Sequence, residues 1–246
     1  MGAVGRCDLG RVRNQNEDCI YISENPDTDF EYYIVADGMG GHSAGEIASR
    51  SAIKYFNEYV LKSEIKEEAD ILDIFVEALS YSNLKIYEMA EKDPALNGMG
   101  TTFTAAAIIG GKLYGVHVGD SRIYVYDKKG LKQITKDHSF VMEMVRMGKI
   151  TTEEARVHPK RNMITKAVGI EKTMPADTLI YALDEDSVVL ICSDGLTTMV
   201  TEKEIEKILK KKTSIDKKAD MLVELANKNG GYDNISVILA DRRVDN

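Results

Sequence analysis

Little in this sequence suits a membrane, a disulfide scaffold or a nucleic-acid surface. The three cysteines, Cys7, Cys19 and Cys192, are odd in number and none are paired as CxxC, which argues against a sulfur-ligated zinc site and fits a reducing cytoplasm. No apolar run reaches the length of a bilayer span, and the opening MGAVGRCDLGRVR has no apolar signal segment. Gly2 does not open a myristoylation motif, since that motif wants Ser or Thr where Arg6 stands. Basic charge is also short: 32 Lys and Arg against 40 Asp and Glu give a net charge of −8, which works against attraction to nucleic acid or an anionic bilayer. The expectation is a soluble cytoplasmic monomer that neither enters a membrane nor binds nucleic acid. At 246 residues it can bury roughly 70–75% of its unfolded surface without disulfide or metal staples.

What is present centres on YYIVADGMGGH, Tyr32 to His42. Strand formers run up to Asp37 and give way to Gly38, Gly40 and Gly41, with Ser43 placed to cap a following helix. A phosphate-cradling loop is one reading, but GxxxxGK[ST] is missing and Ser43 stands where a dinucleotide fingerprint wants glycine. A tight turn with a self-bonded Asp is a second. A metal carboxylate is a third, and it needs partners elsewhere.

The remainder of the chain supplies them. Arg13, Glu17 and Asp18 precede the strand-like Cys19–Ile22, and alternation in an extended chain puts Arg13 and Glu17 on one face with Asp18 on the other. Ser23 to Glu31 reads as a hairpin loop. Amphipathic helices are expected over Ser43–Leu61 and Ile65–Glu91, the second stopped by Asp93-Pro94. From Met99 four strand-like runs divided by glycine turns predict an antiparallel meander, with Asp120 at a turn and His117 at an ordinary strand position. Helices near Ser139–Met147 and after the capping pattern at Thr151 lead into a basic stretch with Lys160, Arg161 and Lys166, either a substrate-facing flap or a solvated loop. Strands DTLIYAL and SVVLICSDG, helices over Thr201–Lys211 and Ser214–Asn229, and a last strand Ile235–Ala240 complete the pattern.

Asp37, Asp194 and Asp233 each border an apolar strand, and Asp18 precedes one. Gathered at one sheet end they would repel unless cations neutralise them. Oxygen ligands without a His/Cys set favour magnesium or manganese over zinc, and a dense cluster suits a two-metal site. Calcium binding without catalysis stays open, although no DxDxDG-type loop is present.

In order and spacing, RVRNQNED, VADGMGGH, GMGTT, VGDSR, TKDHS, ICSDGL and GGYDNIS resemble the metal-dependent (PPM, type 2C) serine/threonine protein phosphatases in their compact bacterial form, over nearly the whole chain. The resemblance implies one catalytic domain over 1–246, an α+β, four-layer α-β-β-α sandwich with two central, mainly antiparallel sheets and a flap at about 140–169. It makes Asp37 the carboxylate bridging two Mn2+ or Mg2+ ions, Gly38 a carbonyl ligand, and Asp194 and Asp233 further ligands. Asp18 and Glu17 belong to the second metal, Asn234 supports the site, and Asp120 with Asp194 holds a weaker third ion. Arg13 grips the substrate phosphate, as a guanidinium fits phosphate oxygens. The implied reaction is hydrolysis of phosphoserine and phosphothreonine by a water bridging the two ions, with no phosphoenzyme, on phosphorylated proteins supplied by a serine/threonine kinase. Where many eukaryotic relatives carry a His proposed as the general acid, this chain has Met39, which leaves that proton to a water at the Asp120 site or to His42. A binding module that has lost catalysis would be expected to lack metal ligands, all of which are filled here. A hydrolase of small phosphoesters would use the same residues.

Overall fold

The computed structural model describes residues 2–23, 30–41, 44–64, 68 and 70–241. The expected caps and loops at Ser43, His42 and most of Ser23–Glu31, and the start of the second helix at Ile65, lie outside or partly outside these residues. Eleven strands and seven α-helices follow in order: β1 (Gly2–Asp8), β2 (Asp18–Ile22), β3 (Tyr32–Met39), α1 (Ala44–Val60), α2 (Asp70–Lys92), β4 (Gly100–Thr101), β5 (Phe103–Ile109), β6 (Lys112–Val118), β7 (Arg122–Asp127), β8 (Gly130–Gln133), α3 (Phe140–Arg146), α4 (Thr152–Val157), β9 (Asp177–Ala182), β10 (Val188–Cys192), α5 (Asp194–Thr197), α6 (Glu202–Leu209), α7 (Ile215–Lys228) and β11 (Ile235–Asp241).

The strands form two antiparallel sheets. Sheet I runs β1-β11-β10-β7-β8 and sheet II runs β2-β3-β5-β6-β9, with β4 paired to β3. Helices α1 and α2 cover sheet II, burying Phe56, Phe75 and Ile86 against Tyr32, Ile34 and Phe103. Helices α6 and α7 cover sheet I through Ile205, Leu209 and Leu222 against Leu190, Val237 and Leu239. A third apolar layer, including Tyr33, Val35, Ala106, Ile123, Ile191 and Ile238, joins the sheets to each other. This is the four-layer α-β-β-α sandwich.

Side-chain alternation sorts each strand between these layers. In β3, Tyr32, Ile34 and Ala36 face the helices, whereas Tyr33 and Val35 face the other sheet. Asp37 is next in the second series. The same parity carries Ile22 and Ile20 of β2 to Asp18, Ile191 of β10 to Ser193, Ile238 of β11 to Ser236, and Ile123 of β7 back to Ser121. The inter-sheet layer is therefore apolar through its middle and polar at one end, where Asp18, Thr102, Ser121, Ser193, Asn234 and Ser236 are all buried.

Three features differ from the sequence expectation. The runs after Met99 are not one meander: β5 and β6 pair in sheet II, β7 and β8 pair in sheet I, and the chain changes sheet at Gly119-Asp120. Residues 9–17 form no strand, so alternation does not place Arg13 and Glu17; a loop does. Strand β3 continues past Asp37 through Gly38 and Met39, which pair with Thr101 and Gly100. The helix beginning at Ser139 is capped by that residue, and Thr151 closes a capping box with Glu154 as its spacing suggested.

Candidate active site

Register in sheet II sets the first pair of carboxylates. Asp18 of β2 lies directly opposite Asp37 of β3, so both point into the polar end of the inter-sheet layer. The Asp37 backbone is held on its other side by threonines: its N–H donates to Thr102 Oγ1 at 2.9 Å, and its carbonyl accepts from Thr102 N at 2.8 Å and Thr101 Oγ1 at 2.9 Å. Sheet I brings the second pair. Asp194 opens α5 immediately beyond β10, and Asp233 precedes β11. Ser193 Oγ donates across the layer to Asp18 Oδ2 at 2.8 Å and accepts from Ser236 N at 3.0 Å, tying the two sheets together beneath the carboxylates.

Asn234 fixes the loop that carries Arg13 and Glu17. Its Oδ1 accepts from Glu17 N at 2.8 Å, and its Nδ2 donates to Leu9 O and Gln15 O, each at 3.0 Å. Gly38 is required by contact, since a Cβ there would strike the Gly45 carbonyl and Glu17 O. Gly45 in turn makes room for Glu17, whose Oε1 lies 2.5 Å from where a Gly45 Cβ would be. Arg13 Nη2 donates to Asp233 Oδ2 at 2.8 Å from the rim.

The electrostatics describe crowded like charges. Burial, followed by repulsion from neighbouring aspartates, pushes Asp37 and Asp120 well above the usual carboxylate range. Burial also raises Asp18 to about 7, against hydrogen bonds from Ser236 and Ser193. Asp194 rises to about 6 from burial and the charge of Asp233, partly offset by a hydrogen bond with Asp37. Glu17 is raised by burial and lowered by Arg13.

Does this set suit divalent cations? Every donor is oxygen, as hard cations require, and Glu17 Oε1 is buried with no hydrogen-bond partner. Among the described residues no three His, Cys, Asp or Glu side chains are already drawn together as a ligand set; Asp233 is bonded to Arg13 and Asp18 to Ser193. These are side-chain orientations on a backbone that aims all four aspartates at one place. The residues fit.

The comparisons with known proteins agree with this geometry. The family described as Protein phosphatase 2C matches residues 11–232. The chain belongs to that family. It is a metal-dependent serine/threonine phosphatase of the PPM (type 2C) group. The serine/threonine phosphatase stp of Listeria welshimeri serovar 6b is 40% identical over 245 residues, covering 99% of this chain and 97% of that protein. The solved serine/threonine phosphatase of S. agalactiae superposes with a TM-score of 0.91 at 37% identity, covering 97% of this chain and 98% of the other. The catalytic domain of the serine/threonine protein phosphatase PstP, solved in complex with two manganese ions, has a TM-score of 0.85 at 34% identity over 98% of this chain and 97% of that one. PPM phosphatases use manganese or magnesium, which is the cofactor the oxygen donors suit.

Asp120 of this phosphatase lies at the sheet-changing turn, close enough to Asp194 and Asp37 for each to feel its charge. Beside it a cavity of about 260 Å3 runs under the flap, lined by Asp120, Asp194, Arg122, Asp137 and Arg161 among others. Arg156 and Arg161 of the flap line this cavity, whereas Lys160 lies over the Phe140 ring at 5.0 Å and Lys166 Nζ is 3.7 Å from Asp177. Among the described residues no helix is long and apolar enough to cross a membrane. Thr102, Ser121, Ser193 and Ser236 are the site residues that sequence reasoning missed. Their signal was strand parity, each falling in the inward series at the end where the aspartates stand.

Proposed function

We propose that this chain hydrolyses phosphoserine and phosphothreonine in cytoplasmic proteins phosphorylated by a serine/threonine kinase, acting as a monomeric single domain over 1–246. Asp37, Asp18, Asp194, Asp233 and the Gly38 carbonyl would hold two ions, with Glu17 and Asn234 supporting them and Asp120 with Asp194 holding a third. Bound there, the ions supply Lewis acidity: they lower the pKa of water and neutralise charge on phosphoryl oxygens. Arg13 exchanges its bond to Asp233 for paired donation to the substrate phosphate, which orients phosphorus for in-line attack. Direct attack by water, without a phosphoenzyme, is favoured because the nearby hydroxyls and thiol are engaged. Ser193 Oγ is bound to Asp18 and Ser236, and Cys7 Sγ accepts from Asn16 Nδ2 and Ser236 Oγ, each at 3.2 Å. Met39 has no proton to give, so a water at the Asp120 site would supply the proton taken up by the leaving alkoxide.

The observation that carries this reading is the convergence of Asp18 and Asp37 from one sheet with Asp194 and Asp233 from the other, with Arg13 at their rim. The test is manganese-dependent release of phosphate from a phosphothreonine peptide. Asp37→Asn and Asp233→Asn should each abolish it while the circular dichroism spectrum and melting cooperativity persist. Turnover retained by either variant would overturn the ligand assignment.

A further inference from the structure

The polar end of the inter-sheet layer holds two imidazoles that hydrolysis does not use. His117 and His138 are both buried and stack with ring centroids 5.0 Å apart. His117 is internally satisfied, between Thr104 Oγ1 at 2.9 Å and Lys136 O at 3.2 Å. His138 has a different set of partners. Its backbone N–H donates to Gly119 O at 2.7 Å, and its Nδ1 accepts from Gly119 N at 3.1 Å. One residue thus binds both backbone polar groups of the position immediately before Asp120. Its own carbonyl accepts from Thr165 N at 2.8 Å, at the point where the chain leaves the flap, and its Nε2 lies 3.3 Å from Asp177 Oδ2 on β9.

These contacts define the tautomer. An Nδ1 that accepts an amide proton cannot carry one, so the ring proton is on Nε2 and donates to Asp177. Besides Asp177, the charged or titratable groups facing the ring are Lys166, Arg146 and His117. Burial pushes the His138 pKa down, which keeps the acceptor nitrogen bare. The turn it holds has little slack. Gly119 adopts a φ of +106°, and a Cβ there would come within 2.6 Å of Thr102, the residue that also binds the Asp37 backbone.

We propose that His138 is a positioning residue for Asp120: as the neutral Nε2–H imidazole, oriented by Asp177, it fixes the Gly119-Asp120 turn and couples it to the exit of the flap. This rests on the assignment of Asp120 to the third ion. Partners that orient a metal ligand from behind commonly change affinity by about 10–100-fold when removed. Loss of the ring should therefore weaken the third ion and spare the two assigned to the site around Asp37.

The test uses the full chain and two readouts besides turnover. In the 15N-labelled, magnesium-loaded protein at neutral pH, His138 Nδ1 should show the shift of an unprotonated nitrogen and Nε2 that of a protonated one. In calorimetric titration with manganese, Asp120→Ala should remove the weakest binding step. His138→Ala should weaken that step by about tenfold or more, and His138→Asn, whose Oδ1 can accept from the Gly119 amide, should restore it. If Asp120→Ala leaves the weakest step intact, the Asp120 assignment falls and the proposal with it. If Asp120→Ala removes the step while His138→Ala does not shift it, or if Nδ1 carries the proton, the proposal alone falls. Should the Ala variant fail to fold, the tautomer measurement and the Asn variant decide the matter: a weakened step in the Asn variant counts against the Gly119 contact.

Discussion

The two sheets bring carboxylates to the same place by different means. Sheet II uses register, because Asp18 and Asp37 are strand residues directly opposite each other. A slip of one residue in either strand would turn its aspartate to the helix-covered face, so their placement is as secure as the strand pairing itself. Sheet I uses turns. Asp194 and Asp233 lie just beyond strand ends: Asp194 opens a short helical turn whose preceding Ser193 is tied to Ser236 O through its backbone N–H, and Asp233 Oδ1 accepts from the Asn234 backbone N–H at 2.9 Å. Register-held ligands depend on the whole sheet, whereas turn-held ligands depend on single hydrogen bonds that point mutations can remove.

That contrast can be broken in steps of decreasing size. Asp37→Asn should have the largest effect, since losing the carboxylate proposed to serve both ions should cost several kcal/mol of transition-state stabilisation, roughly 1000-fold or more in kcat. Steady-state kinetics at saturating manganese check this. Arg13→Ala should remove the charged hydrogen bonds proposed to reach the phosphate and lower kcat/KM roughly 10–100-fold, and the loss should persist at any manganese concentration, unlike that of a ligand variant.

Asn234→Ala tests the turn-held side. Released from Asn234, the Glu17 loop should loosen, and the manganese concentration for half-maximal activity should rise about tenfold. Thr102→Val makes the matching change on the register-held side. It removes a hydrogen bond to the Asp37 amide and one to Ser121, but β2 still pairs with β3, so its effect should be the smaller of the two. An equal or larger effect for Thr102→Val would contradict the distinction between the sheets.

The smallest signal is in stability. Asp18 at about 7 and Asp194 at about 6 stand above their ordinary 3.8. A carboxyl whose folded pKa is raised keeps its proton longer in the native state than in the unfolded chain. Its contribution is therefore full at acid pH and is lost as pH climbs through the folded value, here between about 4 and 7. Metal-free protein should lose melting temperature across that window. Manganese at a hundredfold excess over Kd should add about 2.7 kcal/mol at neutral pH, or roughly 5–10 °C. Differential scanning calorimetry at several pH values measures both.

Much of the architecture was legible because apolar runs, glycine turns and helix caps marked the elements locally. The aspartates were legible because each interrupts or borders an apolar strand. The sheet change at Asp120 was not, since a glycine turn between two strands looks the same whether they pair or part; pairing is decided by partners remote in sequence. Strand β1 was also hidden. Its GAVGRCD has no clear alternation, and Gly5 is explained only by the other sheet, where a Cβ would come within 2.7 Å of Ile20 Cδ1. The role of Asn234 as a staple for the Arg13 loop depends on contacts across more than 200 positions of chain, which local pattern does not carry.

The passage of the inter-sheet layer from apolar to polar has a mechanical consequence. At one end the sheets are glued by side chains such as Val189, Ile108 and Ile238; at the other they face each other through carboxylates that repel. Ions held from both sides, as proposed, would act there as rivets. Stripping them should splay the sandwich like a clothes peg, opening the Asp18 and Ser193 end to amide exchange while the apolar end stays shut, so that catalytic competence and the clamping of the two halves are one event.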